Sequence, residues 1–174
     1  MRTRISRGCA PPARRSWAAN PVTTHRETLD LPYRPEDLFD LVADVGRYPD
    51  FIKWIQSLKL LSEQEDERRM RCRAEATVGF KGFRETFITD VEARRHDLSI
   101  DVGLVRGPFK KLSNSWRFAP IATGTRVDFN IAFEFRNFVL QTLADANKGF
   151  AVRRIIDAFV SEAARRYQKV RTPV

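Results

Sequence analysis

The chain has 174 residues, of which 43% are apolar and 11% aromatic, and it carries a formal charge of +9. This composition excludes wholesale disorder and low-complexity arrays, and the length favours a single domain. No stretch approaches the roughly 18 consecutive apolar residues of a transmembrane helix. Cys9 and Cys72 are too few for a disulfide framework, which favours a reduced compartment.

Residues 1–21 form a basic N-terminal extension with five arginines and no acid. We expect this extension to be disordered, a transit peptide, or an artefact of start-site choice, and we favour the last because the sequence from Val22 onward looks like a natural start. Residues 22–174 form the expected domain, in which 26 basic and 22 acidic residues leave a charge of only +4. This surplus permits contact with anionic lipid or RNA without requiring either.

The domain begins with a strand, a helix and a short helical turn. Residues 23–31 predict the strand, and Pro35 stands where the first position of a helix is expected. Apolar residues follow at helical spacing, and Gly46 predicts the end of this helix. Residues 47–54 predict the short turn.

The middle of the chain alternates apolar and polar residues with a period of two, which is typical of antiparallel strands covered on one side. Lys81 and Gly82 predict a hairpin turn within it. The apolar rows expected to face inward are Met70, Cys72, Ala74, Ala76, Val78 and Phe80; Phe83, Phe87 and Val91; Leu98, Ile100, Val102 and Leu104; Leu112, Trp116 and Phe118; and Val127, Phe129, Ile131, Phe133 and Phe135.

A long C-terminal helix is the element available to cover this apolar face. Asn137 predicts its N-cap. One apolar stripe runs from Val139 to Phe150, and a second stripe, which includes Phe159, lies nearly opposite in phase. The change of phase predicts a kink or break near 147–149.

The inward aromatic residues either fill a core or line an apolar cavity, since ligand pockets are built mainly from apolar groups with a few polar ones. Glu85 and Asn114 are the polar exceptions in these rows, and either they have partners on neighbouring strands or they contact the polar head of an apolar ligand. The expected cavity residues are Phe80, Glu85, Phe87, Leu104, Phe109, Asn114, Trp116, Phe129, Phe133, Phe135 and Phe159.

A second candidate site is a basic outer surface. It is either a solvated, salt-bridged face or a surface for an anionic membrane or for ribosomal RNA. The loop around Phe109 adds an aromatic tip beside cations, which suits a bilayer interface. The basic residues are Arg69, Arg71, Arg73, Arg84, Lys110 and Lys111.

Catalytic and metal-binding patterns are absent from the sequence, which has no nucleophile elbow, phosphate-binding glycine loop or dinucleotide fingerprint. His25 and His96 lack metal-ligand spacing. Cys72 is interpreted as a small core residue, and Glu85 alone is a weak candidate for a base. We expect no catalytic residue and no metal site.

Several segments together resemble the coenzyme Q-binding START-like family, from about Glu27 to Gln168. The sequence departs from the family pattern at Lys53 and Ile55, where proline and cysteine are usual, and at Arg34, where a small capping residue is usual. The segments that carry the resemblance are PEDLFDLVADV at 35–45, RYPDF at 47–51 with Trp54, VGFKGFRE at 78–85, and GPFKKL at 107–112 followed by Trp116.

The resemblance implies an α+β helix-grip fold, in which a curved antiparallel sheet wraps around a long C-terminal helix and a hydrophobic tunnel. It implies non-enzymatic binding of ubiquinone or a similar prenyl lipid, in support of respiratory electron transfer or quinone biosynthesis. The same family, within the polyketide cyclase/dehydrase superfamily, includes the RatA toxins. The alternative implied function is therefore binding to the large ribosomal subunit and a block of translation initiation.

Ubiquinone is thus the expected ligand, with no other cofactor and no DNA partner. The expected location is cytoplasmic, with the surface of the inner membrane as a further possibility and the mitochondrion if residues 1–21 are a transit peptide. A cyclase or dehydrase that uses Glu85 as its acid or base is the third hypothesis.

Overall fold

The computed structural model describes residues 22–80 and 82–170, so the expectations for residues 1–21 and for Lys81 lie outside the described residues. Seven strands, three α-helices and one 3-10 turn make up these parts of the chain. In chain order they are β1 (Thr23–Leu31), α1 (Pro35–Ala43), a 3-10 turn (Val45–Arg47), α2 (Tyr48–Phe51), β2 (Ile55–Glu65), β3 (Arg69–Phe80), β4 (Phe83–Arg94), β5 (Ser99–Arg106), β6 (Phe109–Ile121), β7 (Gly124–Phe135) and α3 (Phe138–Arg166).

The strands form one antiparallel sheet in the order β1-β7-β6-β5-β4-β3-β2. Consecutive strands from β2 to β7 pair as hairpins, and β1 joins the far edge beside β7. The helices α1 and α3 cover one face, where the apolar rows of the strands form a single core. The predicted α+β helix-grip architecture is confirmed.

The helix α1 begins as expected, with Pro35 in its first turn and no side-chain cap from Arg34. It ends at Ala43 and not at Gly46, because the backbone N–H of Asp44 still bonds to the carbonyl of Asp40 and the chain then tightens into the 3-10 turn. Tightening of this kind is common at helix ends.

Asn137 caps α3 as predicted, since its side chain accepts hydrogen bonds from the backbone N–H groups of Val139 and Leu140. The predicted break is wrong, because α3 continues as an α-helix through residues 147–149. Gly149 is exposed in this helix, where a glycine costs only about 1 kcal/mol relative to alanine.

The two stripes of α3 have different surroundings. The second stripe, with Ile156, Phe159 and Ala163, is buried against the sheet and α1. In the first stripe, Val139 and Phe150 are exposed and Leu143 is half-buried. The C-terminal half of α3 is therefore the part held by apolar packing.

Two strand features differ from the sequence prediction. The edge strand β2 was not predicted, and its register shifts between Ile55 and Ser57 and again between Leu60 and Ser62. Leu98 was expected in a strand, but it lies in the turn before β5 with a φ of 46°, a conformation that is uncommon for a residue with a side chain.

Candidate functional site

The register of the sheet places Asn114 and His25 in one row on the covered face. Asn114 on β6 pairs with Ile131 on β7, and Ile131 pairs with His25 on β1. In the next row Trp116 pairs with Phe129, which pairs with Glu27. Two polar side chains of the edge strand therefore point toward the same interior as Asn114.

The aromatic residues predicted to line a cavity separate into two groups. Near the middle of the sheet, the ring centroid of Trp116 lies 4.4 Å from that of Phe129 and 5.2 Å from that of Phe159. The side chain of Phe80 lies outside the described residues.

The second group lies where β6 begins and β7 ends. The ring of Phe109 is 4.4 Å from that of Phe135 and 5.5 Å from that of Phe87, and Phe133 adds a contact with Phe135 at 5.9 Å. The half-buried Leu104 pairs with Thr89, which lies two residues after Phe87 on β4. Most of the predicted residues thus lie on one face, in two clusters of rings.

Asn114 has a buried amide oxygen, Oδ1, without a hydrogen-bond partner among the described residues. A buried acceptor that has lost its water typically costs about 1–3 kcal/mol when it has no partner. An unpaired acceptor on an aromatic-lined face is a position where a ligand's hydroxyl or amide group can bind.

His25 and Glu27 are the polar inner-face residues that the sequence prediction missed. Nε2 of His25 lies 3.1 Å from Oε2 of Glu27, and both side chains are about three-quarters buried. The row that ends in Leu29 and Leu31 continues backward through these two residues, so the parity of the two leucines was a signal for their direction.

Glu85 lies apart from Asn114. It pairs with Val78 in the part of the β3–β4 hairpin that β5 does not reach, since pairing between β4 and β5 begins at Ile88 and Arg106. The two predicted head-group contacts are thus on strands separated by β5 and do not form one site.

A small crevice lies between α1, the C-terminal half of α3 and the sheet. A crevice lined by Leu41, Trp116, Ile156 and Phe159 has a volume of about 20 Å³. A volume of this size holds about one water molecule. A ligand larger than this needs a displacement of the helix or of side chains.

Polar contacts hold the N-terminal half of α3. Gln141 accepts a hydrogen bond from the backbone N–H of Phe135 at 2.7 Å and donates to Oγ1 of Thr23 at 2.8 Å. Thr23 also bonds to Asp145. Gln141 is buried, and so is its neighbour Leu140.

The basic outer face is a ladder of ion pairs. Arg73 donates to both carboxylate oxygens of Asp90 at 2.6 and 2.8 Å, and Arg71 donates to Glu92 at 3.1 Å. Arg69 also lies 3.4 Å from Glu92. The hydrogen bond to Asp90 raises the pKa of Arg73, and the same bond lowers the pKa of the Asp90 carboxyl.

This ladder borders an open groove of about 600 Å³, lined by Arg71, Arg73, Asp90, Glu92 and Asp101. Three of the predicted basic residues therefore lie in ion pairs, with Arg69 and Arg71 sharing Glu92 and Arg73 bound to Asp90. The centre of the outer face is therefore a salt-bridged surface, which was one of the alternatives expected from the sequence.

The remaining predicted cations lie elsewhere. Lys110 pairs with Glu134 at 2.8 Å. Arg84 and Lys111 are exposed, and within residues 22–80 and 82–170 neither has an ion-pair partner.

A second crevice, of about 280 Å³, lies near the β2–β3 turn, at the end of the strands opposite to the β3–β4 hairpin. Two arginines, Arg69 and Arg95, line it together with five carboxylates. These are Asp40, Asp44, Glu63, Glu65 and Asp66.

Cys72 is buried in the core, and this burial raises the pKa of its thiol to about 11. A thiol is then protonated at neutral pH and is a poor nucleophile. In the described parts of the chain, no three His, Cys, Asp or Glu side chains are grouped so that they could hold a metal ion. No helix within those parts is long and apolar enough to cross a membrane.

Curated proteins with related sequences carry two kinds of name. The ribosome association toxin RatA of Rickettsia prowazekii is 33% identical over 145 residues, which cover 82% of this chain and 97% of the toxin. The mitochondrial coenzyme Q-binding protein of Schizosaccharomyces pombe is 30% identical over 142 residues, which cover 80% of this chain and 85% of that protein.

Solved structures and a family model agree on the fold. An 18 kDa protein of Caulobacter crescentus is 40% identical with a TM-score of 0.70, over 82% of this chain and 97% of that one. A START superfamily protein from Mycobacterium smegmatis shares the fold with a TM-score of 0.69 at 18% identity, over 82% and 97% of the two chains. The model described as polyketide cyclase / dehydrase and lipid transport matches residues 31–160. The chain belongs to this family.

Proposed function

We propose that this protein binds ubiquinone or a similar prenyl lipid on the covered face of its sheet, and that it does so without catalysing a reaction. The observation that carries the proposal is the unpaired Oδ1 of Asn114 on a face lined by aromatic rings. The similarity to coenzyme Q-binding proteins supports the same ligand class.

The polar head of the ligand lies in the row of Asn114 and His25. Oδ1 of Asn114 accepts a hydrogen bond from a quinol hydroxyl. The imidazole of His25, whose Nε2 donates to Oε2 of Glu27 at 3.1 Å, accepts from a quinol hydroxyl at its Nδ1. Because Glu85 lies beyond the end of β5, it is not part of this head-group site.

The prenyl tail lies under the N-terminal half of α3. The crevice beside the C-terminal half of α3 is only about 20 Å³ and cannot hold an isoprene unit. The tail displaces the N-terminal half instead, where the polar contacts of Gln141 and Thr23 are the ones to be broken. Burial of the tail contributes about 25 cal/mol per Å² of apolar area, which offsets the loss of those few contacts.

The test begins with the purified full-length chain, which is extracted with organic solvent and examined by mass spectrometry for a quinone. Titration with the reduced form, ubiquinol, whose hydroxyls can donate to Oδ1 of Asn114, then measures affinity through the change in tryptophan fluorescence. We expect N114L to weaken binding about tenfold, because it removes one hydrogen bond to the head group. S113A, on the opposite face of the same strand, is the control with unchanged affinity. A chain that yields no quinone and shows no saturable binding would contradict the proposal.

A second candidate function is inhibition of ribosomes, and the similarity to RatA over 97% of that toxin favours it. The paired arginines of the outer ladder offer little net charge to RNA, so this function would use the unpaired Arg84 and Lys111. It predicts co-sedimentation with large ribosomal subunits that weakens steeply with salt. An unaltered polysome profile on overexpression would count against it.

A further inference from the structure

Three segments meet at the end of the sheet where α3 begins. They are the tip of the β3–β4 hairpin, residues 82–87; the β5–β6 connection, residues 105–111; and the entry into α3, residues 134–139. The backbone N–H of Arg136 bonds to the carbonyl of Pro108 at 2.8 Å, and Gly107 lies against Phe87. We call this surface the hairpin end.

Large apolar side chains are exposed at the hairpin end. Phe138 and Val139, in the first turn of α3, are 68% and 59% exposed. Phe83 on the hairpin and Val105 on the connection are 41% and 43% exposed. Several such residues on one surface mark a site of interaction.

Exposed cations lie in the same three segments. Arg84, Arg106, Lys111 and Arg136 are exposed, and none of them has an ion-pair partner within the described residues. The three segments contain five cations and two carboxylates, and one of these carboxylates, Glu134, is already paired with Lys110. The arginines in the middle of the outer face are paired, whereas four of the five cations at this end are not, in the described parts of the chain.

We propose that the hairpin end docks on the surface of an anionic lipid bilayer. The apolar side chains enter the boundary between head groups and acyl chains, while the cations contact lipid phosphates. A nucleic acid fits less well, because single-stranded bases stack on aromatic rings and the aliphatic Val105 and Val139 gain nothing from stacking. This inference rests on surface residues alone and does not depend on a quinone in the interior.

The test measures co-sedimentation of the full-length chain with vesicles of phosphatidylcholine, or of equal parts phosphatidylcholine and phosphatidylglycerol. The charge variant is R106Q/K111Q. Its matched control is R71Q/R73Q, which removes the same net charge from the outer ladder and leaves residues 1–21 unchanged. An apolar variant, F138S/V139S, keeps every charge. Circular dichroism of each variant confirms that it is folded.

We expect binding to the anionic vesicles only. The charge variant should bind about 30-fold more weakly, since each cation near an anionic surface contributes about 1 kcal/mol. The apolar variant should lose about tenfold, and the control should bind as the parent does.

Three results would overturn the proposal. The first is an absence of vesicle binding by the parent chain. The second is an equal loss in the charge variant and its control, which would assign binding to net charge alone. The third is a combination of results with large ribosomal subunits. The parent chain would bind them, the charge variant would lose this binding, and the apolar variant would keep binding to both the subunits and the vesicles.

Discussion

Gln141 on α3 donates a hydrogen bond from Nε2 to Oγ1 of Thr23 on β1, at 2.8 Å. The two residues lie 118 positions apart in the chain, so this bond ties the start of the last helix to the first strand. The bond from the backbone N–H of Phe135 ties the same side chain to the end of β7. We expect Q141L to lower the free energy of unfolding by about 1–3 kcal/mol, because it leaves buried polar groups unpaired.

The same substitution should speed hydrogen exchange at the amides of residues 138–147 more than at those of the C-terminal half of α3. Urea denaturation measures the first effect and mass spectrometry the second. T142A is the control, since Thr142 is exposed and bonds only within its own helix. Uniform exchange along α3 in Q141L would show that the helix opens as one unit.

Substitution of Asn114 should change the free energy of unfolding in the opposite direction from Q141L. N114L removes an acceptor that has no partner, so the free energy of unfolding should stay the same or rise by about 1 kcal/mol. N130L gives the contrast, because Asn130 accepts from Nε of Arg26 at 2.6 Å and its loss should lower stability by about 0.5–1 kcal/mol. Thermal denaturation of both variants compares them, and destabilisation of N114L would mean that its amide is bonded in the folded protein.

Two glycines on neighbouring segments predict opposite effects of alanine. A Cβ on Gly107 would lie 2.5 Å from Cβ of Phe87 and 3.1 Å from its Cα, so the backbone must move and G107A should cost about 1–3 kcal/mol. A Cβ on Gly103 would meet nothing within 4 Å, and G103A should add about 0.4–1 kcal/mol by restricting the unfolded chain. Equal melting temperatures for the two variants would contradict this account.

The ion pairs of Glu162 should make the stability of the protein depend on pH in the acidic range. A hydrogen bond from Arg165, with further support from Arg166, lowers the pKa of its carboxyl from 4.5 to about 2. The folded state therefore favours the charged form, and its contribution is complete above pH 4.5 and lost as the pH falls toward 2.

We expect E162Q to lower stability by about 1 kcal/mol at neutral pH, after allowance for screening by solvent, and to have little effect at pH 2. Denaturation across this pH range checks the sign. The control is D157N, on the same helix. Asp157 is exposed, and its carboxylate has no ion-pair partner in the described chain. The difference in free energy of unfolding between D157N and the parent should therefore not change with pH.

Regular patterns made most of the fold predictable from sequence. The strict alternation of β7, from Val127 to Phe135, and the cap at Asn137 identified their elements because each depends on local geometry alone. The strand β2 was not predicted, because its two register shifts break the period of two that marks a strand.

The candidate site was predictable only in part. Asn114 was identified because one amide interrupts an apolar row, and the register places it on the covered face. His25 and Glu27 were missed because their strand supplies polar residues to both faces over most of its length, so only the final leucines carry the signal. Ion pairing of Arg71 and Arg73 depends on partners 21 and 17 residues away, which composition alone does not specify.

The two ends of the strands differ in the sign of their charge. Five carboxylates and two arginines line the crevice near the β2–β3 turn, whereas unpaired cations occupy the hairpin end. This difference between the two ends contributes an electric dipole along the strands. Near a negatively charged surface the field exerts a torque that turns the start of α3 toward that surface before any contact forms, and at about 0.1 M salt this torque is largely screened beyond about 10 Å.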